Sequence, residues 1–371
     1  MEFRFWAATL RISSILFLAG SAVAIAFAAQ PILAQAKLSP PSSGLINPRA
    51  IVFSPATNKV YAVDTNRGAV QIYSASSGQM HQVKVGSAPV SIAVNTINGK
   101  VYVANAGDGT VTVLDGNSDA IAATVPVGSH PYSVAVNSVT GDAYITHTFG
   151  DQLSILDGTT NTATDLKTGS SDLIAIDSRR GTIYLLGYGG AVKVLDVASQ
   201  KLTERPIGKH VWGLTVDDGT GAVYVARIED ADVAALERNS SAPTTFQAGA
   251  IPCAIAVNSK THKLYVADFG ENTVSVIDAK SGGKRTAVAV GNHPKAIAFD
   301  ASRNLIYAAN TSDGTVTVID AMTNGVLATL PAGKNPYALA VVPGSSRLYV
   351  ANETDDNPST AVDLGGLQKI K

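Results

Sequence analysis

Three of the six histidines, His130, His210 and His293, stand at equivalent points of a chain that repeats itself, and three imidazoles are a candidate metal-ligand set. A metal requires ligand nitrogens converging to ~2.0–2.1 Å, and no cysteine or second histidine lies near any of the three in sequence. Asn47 and Asn335 fill the same point in other copies, so a polar residue holding the start of a strand accounts for all five. The metal site is therefore the secondary reading, and no cofactor is expected. Two residues further on come Arg49, Tyr132, Asp172, Trp212, Lys295 and Tyr337, with Val90 and Cys253 in the remaining copies. Aromatic rings mixed with charged groups are the composition that anchors protein or peptide partners, and these six are the candidate partner-binding residues.

What must position them is set by a repeat. Tyrosines at 61, 102, 144, 184, 224, 265, 307 and 349 are separated by 41, 42, 40, 40, 41, 42 and 42 residues. A period near 40 means one supersecondary unit packed against copies of itself. In the second copy, apolar residues 91–94 precede the turn 95–99. VYVAN at 101–105, TVTVLD at 110–115 and AATVPVG at 122–128 follow, separated by Gly, Asn, Asp and Ser turns. Four short strands in sequence form an antiparallel meander. VYVAN does not alternate, so its sheet is covered on both faces. Four-stranded sheets, each sandwiched between two others, predict an all-β fold, a β-propeller. Eight copies predict eight blades, with seven as the alternative because the last copy is short. Residues 37–44 or Leu367 to Ile370 are the candidates for its outer strand, prolines 40 and 41 being tolerable on an edge.

VYVANAGDGTVTVLD at 101–115, LYVADFGENTVSVID at 264–278 and IYAANTSDGTVTVID at 306–320, each followed by a glycine–x–x–proline step, resemble the prokaryotic YVTN-type propeller repeat. Copies four and five lose the Asn after the Tyr strand. The resemblance implies an exported or surface-associated propeller. Related propellers include lactone hydrolases, for which Asp172, Arg49 and His210 would be the residues here, and quinone or metal redox enzymes. Quinone-dependent eight-bladed dehydrogenases carry a tryptophan docking motif in their repeats, which Trp212 alone cannot supply.

Positions that recur from copy to copy belong to the scaffold. These are the tyrosine, the glycine before each blade, and the aspartate ending the third strand (Asp115, Asp157, Asp196, Asp278, Asp320), which can accept backbone N–H bonds in the following turn. Positions that differ between copies are free to build an asymmetric site. In a meander of this kind, the step between blades and the hairpin between second and third strands share one face around the central channel. Phe149, Tyr188 and Phe269 at those hairpin tips extend the candidate surface.

Residues 1–36 read as a secretory signal peptide: two arginines, an apolar run over 12–29 and Ala34-Gln35-Ala36 as a cleavage-type site. An uncleaved anchor is the alternative. Residues 37–371 then form one propeller domain. Taking two arginines and one glutamate away from 28 basic and 29 acidic side chains leaves a net charge of −2, with no basic field for nucleic acid or an anionic membrane surface. One cysteine, Cys253, excludes an internal disulfide, and it reads as a buried filler. There is no G-x-S-x-G, H-E-x-x-H or C-x-x-C-H, and no phosphate-binding glycine loop. The sequence predicts an exported, monomeric, non-enzymatic propeller that binds a protein or cell-envelope component through its channel mouth. A lactonase-type hydrolase or a metal- or redox-associated propeller is the alternative.

Overall fold

A computed structural model describes residues 48–371 apart from 75–78, 188, 209, 239, 241, 344, 346, 354–360 and 365–371, with Pro48 and Arg49 described for backbone only. The expected leader and both candidates for the closing outer strand lie outside these residues. All regular structure among them is β. It forms eight separate antiparallel sheets: seven have four strands in sequential order, and the eighth has three among the described residues. Eight blades, rather than seven, are thus present.

The second blade shows how the repeat folds. Pro89–Val94 is innermost, then Val101–Asn105, Thr110–Leu114 and, outermost, Ile121–Pro126. Val101–Asn105 is buried at every position, as its unbroken apolar run required, whereas the outer strand exposes alternate residues to solvent. The innermost strands of successive blades pack on one another, and the last packs on the first. Ala50 and Val52 share a core with Tyr337, Ala338 and Ala351, and the rings of Tyr73 and Tyr349 meet at 5.8 Å between centroids. The hydrophobic core therefore lies between blades, and closure of the circle completes it.

The repeated residues hold these junctions. Tyr61 donates its hydroxyl to Gly116 O at 3.2 Å and Tyr102 to Gly141 O at 3.2 Å, each tying one blade to a turn of the next. The asparagine after the tyrosine binds the third strand: Asn105 Nδ2 reaches the hydroxyls of Thr110 at 3.0 Å and Thr112 at 2.9 Å, and Asn310 repeats this with Thr315 and Thr317. A Cβ on Gly86 would lie 2.6 Å from Asn105 Cγ, and one on Gly291 2.7 Å from Asn310 Cγ. Glycine before the blade and asparagine in its second strand are two halves of one contact.

The third-strand aspartates act as turn acceptors. Asp115 Oδ1 takes the N–H of Asn117 at 2.8 Å and of Ser118 at 3.1 Å, and Asp157 Oδ1 those of Thr159 at 2.8 Å and Thr160 at 2.7 Å. Backbone hydrogen bonds hold the Asp115 and Asp157 carboxyls below the usual carboxylate range, and bonds from Ser199 and Ser281 do the same for Asp196 and Asp278. A lowered folded-state pKa stabilises the fold above the unfolded value, and that contribution is lost as pH falls through the folded one. Thermal midpoints measured on a descending pH series should hold near neutrality and fall below about pH 4, the ordinary aspartate range. In Asp157→Asn the fall should be shallower; an unchanged profile would show that these turns do not sense pH.

Candidate functional site

The steps between blades and the second-to-third-strand hairpins do share a face. Ala106 N donates to Ala88 O at 3.0 Å, Thr148 N to His130 O at 3.1 Å, Ile228 N to His210 O at 2.9 Å and Thr311 N to His293 O at 3.1 Å. To present that carbonyl, the step residue turns into the left-handed region: φ is 47° at Ala88, 53° at His130 and His210, and 54° at Ile251, His293 and Asn335. Asn and His are enriched in that conformation, which accounts for their recurrence here.

The step histidines are not assembled into a metal centre. His130 is exposed on its own step, His210 Nδ1 meets Glu229 Oε1 at 2.7 Å, and His293 Nδ1 meets Ser312 Oγ at 2.7 Å. Among the described residues no three His, Cys, Asp or Glu side chains are placed to hold a metal ion.

One turn inside, the candidate ring has a local cause that the sequence did not disclose. Pairing between first and second strands shifts between Pro48 and Ile51, Pro89 and Ser91, Pro131 and Ser133, Val211 and Gly213, Pro252 and Ala254, Pro294 and Ala296, and Pro336 and Ala338. Each shift is a β-bulge, and Val90, Tyr132, Trp212, Cys253, Lys295 and Tyr337 are the extra residues. A bulge re-aims a side chain and breaks the ladder locally. Arg49 lies in the first of these bulges. Asp172 takes the same place without one, just ahead of Leu173–Asp177, its N–H bonded to Leu186 O at 2.9 Å.

The ring divides into two arcs. Over blades five to eight it is aromatic and cationic. Trp212 meets Phe269 at 6.4 Å between centroids, Phe269 meets His293 at 4.6 Å, and Lys295 Nζ stands 4.2 Å from the centroid of Tyr337. Burial lowers the Lys295 pKa, with Glu353 offsetting part of the effect, and no carboxylate among the described residues lies within ion-pair distance of it. Cys253, beneath this arc, donates Sγ–H to Pro294 O at 3.3 Å and is pushed up to about 12 by burial, so it is a filler and not a nucleophile. Trp212 also packs against the core formed with Cys253 and Ala254, so part of its role is structural. Phe149 is 90% exposed on its hairpin.

Over blades three and four the ring carries Tyr132 and the acidic Asp172, with buried hydroxyls in the adjoining strands. Asp172 is 9% exposed, and burial raises its carboxyl pKa, the Thr148 hydroxyl offsetting part of the rise. The two groups stand near each other without hydrogen-bond geometry: Asp172 Oδ1, Thr148 Oγ1, Ser133 Oγ and Ser171 Oγ have no hydrogen-bonding partner. The hydroxyl-bearing members of this group were not singled out from sequence, because Ser and Thr are common in every copy and only their lack of partners distinguishes them. The residues of the hydrolase alternative are not gathered: His210 pairs with its own hairpin, and no contact among the described residues joins it to Asp172.

Comparison with known proteins agrees with this architecture. The fold is a β-propeller. Residues 218–332, under half of the chain, match the family described as "Lactonase, 7-bladed beta-propeller". No curated protein matches the chain. Among solved structures it is similar to the computationally designed Ika8 protein, with a TM-score of 0.71 and 14% identity over 89% of this chain and 99% of that one. Kuenenia stuttgartiensis hydrazine synthase gives 0.60 and 17% over 86% and 96%, and a streptogramin B lyase 0.55 and 17% over 76% and 93%. At such identities the likeness is one of fold, and these proteins have different roles. Among the described residues no helix is long and apolar enough to cross a membrane.

Proposed function

We propose that this propeller is an exported binding module of the YVTN-repeat type whose channel-mouth face engages a protein or cell-envelope component, without catalysis of its own. The observation that carries the reading is the bulged ring: the scaffold repeats, while the one position each bulge re-aims changes from blade to blade. Aromatic and cationic groups concentrated on one arc are the chemistry of partner anchors, and Lys295, held over Tyr337 with no carboxylate within ion-pair distance among the described residues, is a cation available to an external carboxylate. Capture from envelope extract on immobilised protein tests this. Tyr132→Ala and Lys295→Gln are expected to lower recovery of a retained partner several-fold with little change in thermal midpoint, because both residues are only partly buried at the mouth. Trp212→Ala is expected to lower both, since Trp212 also packs on the core. Equal recovery by wild type and variants would overturn the proposal.

A lactonase-type hydrolase is favoured by a single finding, the family match over residues 218–332. That stretch ends before the eighth blade and leaves out Asp172 and Arg49. Hydrolysis of a simple aliphatic lactone by the purified protein, lost in Asp172→Asn, would replace the binding reading.

A further inference from the structure

Seven aspartates are buried among the described residues: Asp64, Asp172, Asp177, Asp217, Asp232, Asp268 and Asp300. Five face a cationic or titratable side chain, namely Arg67, Arg180, His262, Arg227 and Arg285 in turn. Asp300 instead accepts the N–H groups of Ser302 at 2.9 Å and Arg303 at 3.2 Å. Asp172 has no cation beside it and no backbone N–H donating to it among the described residues, only the partial support of the Thr148 hydroxyl, and it is the one that lies in the channel-mouth ring. A buried carboxylate is costly unless it is paired, so its natural complement is a cation supplied from outside.

Its surroundings narrow the kind of cation. Thr146 Oγ1 donates to Asp172 O at 3.0 Å and accepts the Ser133 N–H at 3.2 Å, which binds the inner strand of blade three to the start of blade four. In and beside these strands the hydroxyls of Ser133, Thr148 and Ser171 and the Asp172 Oδ1 are buried without hydrogen-bonding partners, and Thr148 is the one whose hydroxyl acts on the Asp172 carboxyl. Such oxygens can all accept. A primary ammonium carries three N–H donors and no acceptor, so it can use a carboxylate oxygen and neighbouring hydroxyls at once. A bare divalent metal ion would want several charged ligands, and among the described residues no three His, Cys, Asp or Glu side chains are grouped to supply them. Tyr132 occupies the adjacent ring position, and aromatic rings favour organic cations.

We propose that Asp172, with the Thr148 hydroxyl, is a receptor for a primary ammonium group, such as a lysine side chain of the bound partner. This deepens the recognition reading above and rests on it. It also gives the two arcs complementary tasks: Lys295 for an acid, and Asp172 for an amine.

The test is calorimetric titration of the full chain with Nα-acetyl-lysine amide and with the same compound acetylated on its side-chain nitrogen. The ammonium probe is expected to bind at least about tenfold more tightly than the neutral one, and Asp172→Asn should abolish that difference. Thr148→Val should weaken the ammonium probe alone. Without probe, Asp172→Asn is expected to raise the thermal midpoint, because it removes an uncompensated buried charge; this also shows that the variant folds. Equal binding of the two probes, no binding of either, or full retention of the difference in Asp172→Asn would overturn the inference. Envelope capture that persists through such a result, and still depends on Lys295, would leave the recognition reading standing; loss of both would end both.

Discussion

Arg227→Ala is expected to destabilise the protein by about 3–5 kcal/mol, the cost of leaving a buried charge without its partner. In the fifth blade arginine stands where blades two, seven and eight carry asparagine. Its Nε reaches Asp232 Oδ1 at 2.7 Å, a second guanidinium nitrogen takes the other carboxylate oxygen, and a third meets Asp230 Oδ2 at 2.8 Å and Ile207 O at 3.1 Å. Asp232 is 5% exposed. Truncation would strand that carboxylate in a setting where water cannot replace the guanidinium. Replacing both partners with apolar residues, Arg227→Met with Asp232→Val, should recover most of the loss, because nothing charged is then left buried. Urea unfolding of the single and double variants reads the difference directly. A double variant as weak as the single one would mean that the arginine acts through packing and not charge.

Tyr102→Ala is expected to cost about 3–5 kcal/mol, as large aromatic truncations in close-packed cores do. Tyr102 is fully buried, and it packs against Val134, Ile145 and Leu156 of the next blade. Its loss would therefore open the junction between blades two and three. Tyr102→Phe keeps the ring and loses only the hydrogen bond to Gly141 O, so about 0.5–1.5 kcal/mol is expected. With total stabilities of about 5–15 kcal/mol, the alanine variant consumes a large share of what holds the circle closed. Comparable midpoints for the two variants would show that the repeated tyrosine serves its hydroxyl and not its bulk.

The architecture was legible because it is written eight times. Spacing between tyrosines, the unbroken apolar run of VYVAN and the glycine-rich turns each demanded the same strand order, and local and global signals agreed. Even the glycine–asparagine contact left a trace: Gly86 and Asn105, Gly249 and Asp268, Gly291 and Asn310, and Gly333 and Asn352 are each 19 residues apart. The fold shows why that spacing recurs. The ring of candidate residues was also visible, as the position that varies between copies. Its cause was not, because a one-residue bulge has no signature in a strand of Pro, Val, Ser and Ala beyond the proline that opens it. The step histidines invited a metal reading since residue type alone cannot reveal a left-handed φ. The acidic arc stayed hidden for a related reason: a serine or threonine without a partner looks in sequence like any other.

Recovery of a partner from envelope extract by wild-type protein, compared with Tyr132→Ala and Lys295→Gln at equal thermal midpoint, tests the central claim most directly. The account predicts that wild type retains a specific component and that both variants recover several-fold less. A retained component recovered equally by all three proteins would contradict it, and would place the functional surface elsewhere than the channel mouth.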